Sequence, residues 1–313
     1  MAEWSIPTKE RMDEIFESSK NWGRWGTDDE VGALNLITAD VRKSAAAAVR
    51  QGLAVSCSLD MPVDPAPDNP HPALHMMVQG GDDCLIPGFG LESTADFVGV
   101  AFHGMASSHL DALCHVAVGG KIYNGFDVTE VKSTGAQRNS VMAAKDGIVS
   151  RGVFLDIPRL RGVDWLEPGN VITPDELDAA EKSQSVEVRE GDVLLVGTGR
   201  DARRAAKGRW SPVEAGMAGL HPECLPWIHG RGVAVLGSDG ISDVLPPPQI
   251  EGWTMPIHET TLVAMGVHLL DNLALGELAA ACAEFSQWDF QFNALPLRVQ
   301  GGTGSPLNPV AVL

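Results

Sequence analysis

Basic residues are scarce. The chain of 313 residues carries 23 Lys and Arg against 41 Asp and Glu, a formal net charge of −18. A general nucleic-acid binder needs a basic footprint, so that class is excluded. An anionic membrane surface is an equally poor partner. Long hydrophobic runs are also missing, and no stretch of about 18 apolar residues is there to span a membrane. The opening MAEWSIPTKERMDEIF has no basic segment leading into an apolar run, so no secretory leader is expected. Cysteines are few and unpaired in pattern: Cys57, Cys84, Cys114, Cys224 and Cys282 contain no CxxC. They read as reduced thiols of a cytoplasmic protein. What is present is an ordinary globular balance, 44% hydrophobic and 20% charged. That much apolar material excludes a disordered chain.

Along the chain, residues 8–19 read as a helix capped by Thr8, and Ala-rich 39–50 as a second helix stopped at Gly52. Residues 53–58 alternate like a strand. A Pro- and Gly-rich excursion, about 61–90, reads as a loop insertion. The apolar run FVGVAF, 97–102, predicts a buried strand that ends at His103. Further strands are expected at 152–156, 192–197, 233–237, 288–293 and 295–299. Helices are expected at 173–183, 221–229, 257–266 and 275–285, the first opened by Thr-Pro-Asp-Glu. Strands and helices mix without strict alternation. The expected architecture is therefore one α/β domain with a mixed sheet over residues 1–313, preceded by a helical arm of about 1–50.

The densest chemistry lies at His103, His109, Asp111 and His115. Histidine and aspartate suit a divalent metal. In extended backbone His109 and Asp111 point to one face. His115, four residues further, is placed to stand beside a metal as an acid/base group. Spacing alone fits packed core histidines as well. Elsewhere the signals are weaker. Pro70 and Pro72 argue against a helix for His71 and His75, which read as loop histidines near a pocket mouth. Tyr123, the single tyrosine, either lines a pocket or packs beside the Asn124-Gly125 turn. Asp239 reads as a turn residue. Cys114 lacks any marked oxyanion donor, GGTGSP lacks a P-loop lysine, and LVGTGR lacks the third glycine of a dinucleotide fingerprint.

The 105–115 segment resembles the signature of the cyclase family, the superfamily of kynurenine formamidases and isatin hydrolases, His-x-Gly-Thr-His-x-Asp-x-Pro-x-His. Ser108, His109, Asp111 and His115 fall on its Thr, second His, Asp and last His. Blocks such as 21–38, 151–162, 191–200, 220–244, 257–273 and 297–312 resemble longer members of that family in the same order. The resemblance implies a swivelling β/β/α fold, homodimers or homotetramers, and hydrolysis of an amide, cyclic amide or lactone with zinc or manganese. It implies metal ligation by His109 and Asp111, acid/base work by His115, and a second metal pair at His258 and Asp271, where Asp271 replaces the family's Glu. Met105 stands where the family has its first ligand His, and His103 is the substitute ligand to expect. The same resemblance places aromatics near a small substrate, which makes Trp22 and Trp25 candidates beside Tyr123 and His75. A metal-free binding protein and a ring-forming or dehydrating enzyme are the alternative readings.

Overall fold

The computed structural model describes residues 5–82, 85–86 and 90–313. Cys84 and part of the 61–90 excursion lie outside the described residues. One nine-stranded sheet organises the chain. Its strands in chain order are β1 (Ala54–Ser56), β2 (His109–Asp111), β3 (Ile148–Asp156), β4 (Val193–Gly197), β5 (Val235–Ser238), β6 (His268–Asp271), β7 (Asp289–Ala294), β8 (Gly304–Pro306) and β9 (Val310–Val312). They lie in the order β1-β9-β7-β3-β4-β5-β6-β2-β8. The four central strands, β3 to β6, are mutually parallel, and the flanking pairings are antiparallel. This is the mixed α/β sheet that the sequence pattern predicts.

Parallel strands are covered on both faces, which is why VLLVG and VLGS read as unbroken apolar runs. One layer holds Leu155, Val196, Leu236 and Leu269 against helices Lys9–Ser18, Pro174–Gln184 and Cys224–Gly230. The other holds Phe154, Leu195, Leu270 and Phe292 against helix Gly276–Phe285. Local signals set the helix ends. Thr8 and Thr38 accept from the N–H of Arg11 and Val41, and Thr173 with Glu176 forms a capping box ahead of Pro174. The expected helix at 257–266 is instead a short α-helical turn, Pro256–His258, continued by a π-helix, Glu259–Met265.

Two further expectations need correction. The 97–102 run is not a buried strand. Ala95–Gly99 pairs with Leu74–Gln79 in a separate hairpin that stands off the body, with Phe97 48% and Leu74 59% exposed. Apolar composition did not distinguish a solvent-facing hairpin from a core strand. Residues 295–299 form no strand. Their place in the sheet is taken by β8 and β9, built from the Gly-rich closing segment. That segment is structural for a steric reason: a Cβ on Gly304 would lie 2.3 Å from the Leu110 carbonyl oxygen and 3.0 Å from the His103 ring. Only glycine lets β8 close on β2. Asp239, in the bend after β5, acts across segments instead of within its turn: its carboxylate accepts from the backbone N–H of Thr198 and Arg200 and from the Thr198 hydroxyl. The described cysteines, Cys57, Cys114, Cys224 and Cys282, are buried and free.

β6 carries different chemistry on its two faces. Asp271 and Leu269 point to the side of β2 residues His109 and Asp111, whereas His268 and Leu270 point to the other. His268 is fully buried, and neither ring nitrogen has a hydrogen-bond partner. Burial pushes its pKa down to about 4 from 6.5. Between those values the unfolded chain binds a proton that the folded chain does not, so stability falls as pH drops from about 6.5 toward 4. Replacing His268 with Leu should flatten the pH dependence of the urea midpoint in that window, by up to about 1.4 kcal/mol per pH unit. An unchanged slope would show that His268 does not set it.

Candidate metal centre

Asp111 sits at the middle of the site. Its strand β2 lies between β6 and β8, with Leu269 opposite Asp111 and Asp271 opposite His109. The Asp111 carboxylate is 1% exposed, and neither oxygen receives a hydrogen bond. Imidazoles surround it instead. His103 Nδ1 is 2.9 Å and His109 Nε2 3.4 Å from Oδ1, and His258 Nε2 is 3.6 Å from Oδ2. His258 Nε2 is also 3.3 Å from Asp271 Oδ2. The donor atoms fall into two convergent groups that share Asp111: His103, His109 and Asp111, and Asp111, His258 and Asp271.

Each of the three histidines spends one nitrogen on the protein and turns the other inward. His103 Nε2 meets Thr303 Oγ1 at 3.0 Å, His109 Nδ1 meets the Ser107 carbonyl oxygen at 2.8 Å, and His258 Nδ1 meets Asp243 Oδ2 at 2.7 Å. This is how proteins fix the tautomer and aim of a metal-binding imidazole. Buried atoms without a hydrogen-bond partner gather here: His103 Nδ1, both Asp111 oxygens and Asp271 Oδ1. Buried polar atoms without partners are costly, and a divalent cation fits this donor set.

His115 behaves differently. Its ring stacks flat on His103, centroids 3.8 Å apart, with Nε2 3.9 Å from Asp111 Oδ1. Its other nitrogen has no anchoring partner among the described residues. Burial first, with the neighbouring His103 and His258 adding to it, pushes its pKa down to about 4. His258 shifts the other way. Burial alone would lower His258, but Asp271, Asp111 and Asp243 outweigh it and hold the imidazole well above its usual value. Burial alone would raise the Asp111 carboxyl, yet His103, His109 and His258 hold it well below the carboxylate range. Asp271 is raised, by burial first and by the charge of Asp111.

The site opens into a cavity of about 270 Å³ walled by Gly104, Met105, Val116, Ile241, Met255 and Glu259 beside the His/Asp cluster. Met105 therefore faces the cavity but offers no ligand nitrogen. His103 arrives from the loop before β2 and does reach Asp111. That loop is held from below. Asn272 Nδ2 donates to the carbonyls of Gly104 and Ser107, and Arg200 donates to the Asn272 side chain and the Met105 carbonyl.

The expected substrate residues lie elsewhere. Tyr123 is fully buried, its hydroxyl donates to Asp29 Oδ2, and its ring packs against Gly266. Trp22 donates its indole N–H to the Val263 carbonyl, and Trp25 stacks beneath Arg24 on the core. His75 lies on the exposed hairpin and pairs with Asp96. None of the four lines the cavity. The reason is packing: wide rings at the N-terminal arm bury more area as anchors than as pocket walls. Sequence reading missed Asp243, Thr303 and Glu259. Asp243 and Thr303 act through contacts between distant segments, and no local spacing announces them.

Asp243→Asn should disturb the His258 tautomer while leaving all five candidate ligands in place. Chelator competition should then show metal affinity reduced by about 10–100-fold. Unchanged affinity would remove Asp243 from the metal centre.

Comparison with known proteins agrees with this fold. The cyclase family model matches residues 51–243. A crystal structure described as a novel cyclase superposes with a TM-score of 0.85 at 30% identity, covering 95% of this chain and 99% of that one. An isatin hydrolase bound to the product analogue thioisatinate superposes with a TM-score of 0.59 at 18% identity, covering 88% and 99%. Isatin hydrolase A from Ralstonia solanacearum gives 0.56 at 20% identity, covering 88% and 97%. No curated protein matches the chain in sequence. The fold, the ordered sequence blocks and the family match lead to one conclusion: the chain belongs to the cyclase family.

Proposed function

We propose that the chain is a metal-dependent hydrolase that opens an amide, cyclic amide or lactone bond of a small substrate. One observation carries the reading: three histidines, each pinned by its outer nitrogen, aim the inner one at a buried carboxylate that has no other partner. His103, His109, Asp111, His258 and Asp271 would hold the metal, zinc or manganese. The isatin hydrolases of the same fold support the reaction class. When bound, such a cation supplies Lewis acidity, polarising a carbonyl and acidifying water.

The chain's own residues supply the rest. His115 is neutral near pH 7, because its pKa lies near 4. Its Nε2 can therefore take a proton from the attacking water and return it to the leaving nitrogen or oxygen. Stacking on His103 fixes the plane in which that proton moves. Asp243 keeps His258 Nε2 turned inward, and Thr303 does the same for His103 Nδ1. Met105, Val116, Ile241 and Met255 give the reacting carbonyl an apolar wall. A metal-free binder would have His103 turned away from the centre. Here its Nδ1 lies 2.9 Å from Asp111, which favours the hydrolase.

Purified protein should open cyclic imides or lactones to products heavier by one water, or split aryl formamides into the amine and formate. Chelator should abolish turnover and metal should restore it. His115→Ala should lower kcat by about 10²–10⁴-fold with metal content unchanged. Turnover indifferent to chelator, or a product that has lost water, would overturn the reading.

A further inference from the structure

The cavity holds one carboxylate that the His/Asp cluster does not use. Glu259 follows His258 directly and begins the π-helix Glu259–Met265. Its Oε2 is committed, accepting from the backbone N–H of Thr254 at 3.2 Å and Met255 at 3.1 Å. Those two bonds hold the carboxylate in place. Its Oε1 accepts no hydrogen bond from any described residue, and no described lysine or arginine pairs with it. Every other wall residue outside the His/Asp cluster is apolar or glycine: Gly104, Met105, Val116, Ile241 and Met255. Met105 and Met255 pack against Met217, Ile241 and Leu245, so this wall is backed by the core.

A fixed carboxylate oxygen in an apolar chamber demands a donor from whatever enters, because an unpaired charged acceptor costs more than a neutral one. It also repels an incoming anion, and weak screening strengthens that repulsion. The thioether and aliphatic walls favour hydrocarbon, and the sulfurs sit well against ring edges. A volume of about 270 Å³ admits only a compact molecule.

Resting on the hydrolase reading, we propose that Glu259 selects the substrate: its free Oε1 receives an N–H of the substrate while Met105, Val116, Ile241 and Met255 hold the hydrocarbon. The preferred substrate is then a small apolar amide or lactam that keeps an N–H and bears no carboxylate. Glu259 is thus a specificity residue, separate from the ligands and from His115.

Isoindolin-1-one, its N-methyl derivative and its ring-carboxylate derivative are the probes, with binding measured by calorimetry on the metal-loaded full chain and hydrolysis read separately by product mass. Wild-type protein should bind isoindolin-1-one at least about tenfold more tightly than either derivative. Glu259→Leu should erase the preference over the N-methyl compound. Glu259→Gln keeps one acceptor oxygen, which Thr254 and Met255 take, and leaves an amide N–H2 in place of Oε1, so it should lose the N–H preference and gain about tenfold on the carboxylate. If Glu259→Leu does not fold, the Glu259→Gln gain alone decides. Equal wild-type affinities, no binding of any probe, or unchanged discrimination in the variants would overturn the proposal. Correct discrimination without product overturns the hydrolase reading instead, and hydrolysis without discrimination overturns only the role of Glu259.

Discussion

A single buried carboxylate, that of Asp111, is the constraint around which this molecule is arranged. A charge taken out of water in the middle of a sheet is expensive unless it is answered. Backbone donors do not answer it, since neither oxygen receives a hydrogen bond. The answer comes from imidazoles: His103, His109, His115 and His258 all bring a nitrogen within 4 Å of its oxygens. His103, His109 and His258 each have the far nitrogen anchored, and three separate segments supply the anchors. Asp243 comes from the turn after β5, Thr303 from the Gly-rich segment, and Ser107 from the loop before β2. Much of the fold around β2 serves to keep those anchors in register.

Met105 stands where the resemblance to the family signature leads one to expect a ligand histidine, and it lines the cavity instead. His103, two residues earlier, brings its Nδ1 to 2.9 Å from Asp111, across a loop that contains Gly104. Asn272, itself in the left-handed region at φ 54°, ties down the Gly104 and Ser107 carbonyls, and Arg200 ties down that of Met105. Arg200 is 5% exposed, and its turn is closed by the equally buried Asp239. Met105 thus adds to the apolar wall of the cavity, while His103 keeps a nitrogen beside Asp111.

Much of this was legible residue by residue. His109 and Asp111 share a face because a strand has period two, and they do lie on one short strand. Helix starts at Thr8, Thr38 and Thr173 were legible because their caps are local. Local pattern failed where burial depends on partners. The 97–102 run has the composition of a core strand, yet nothing in the described chain covers its hairpin. The Gly-rich end has the composition of a turn, yet it forms the edge strand beside the site. Trp22, Trp25 and Tyr123 have the chemistry of ring-binding residues, but each finds its partner in the core.

Composition by itself determined that the chain is acidic and globular, and the 103–115 stretch by itself placed a His/Asp pair on one face of a strand. Those properties follow from charge count and backbone period, which need no long-range contact. Tertiary structure alone decided the remainder. It set His258 and Asp271 beside Asp111, because antiparallel pairing of β2 with β6 puts Asp271 opposite His109. It chose Thr303 and Asp243 as the anchors of His103 and His258, and it faced Glu259 rather than an aromatic ring into the cavity. Sheet register and strand order create those neighbours, and they join residues whose separation along the chain carries no periodic signal.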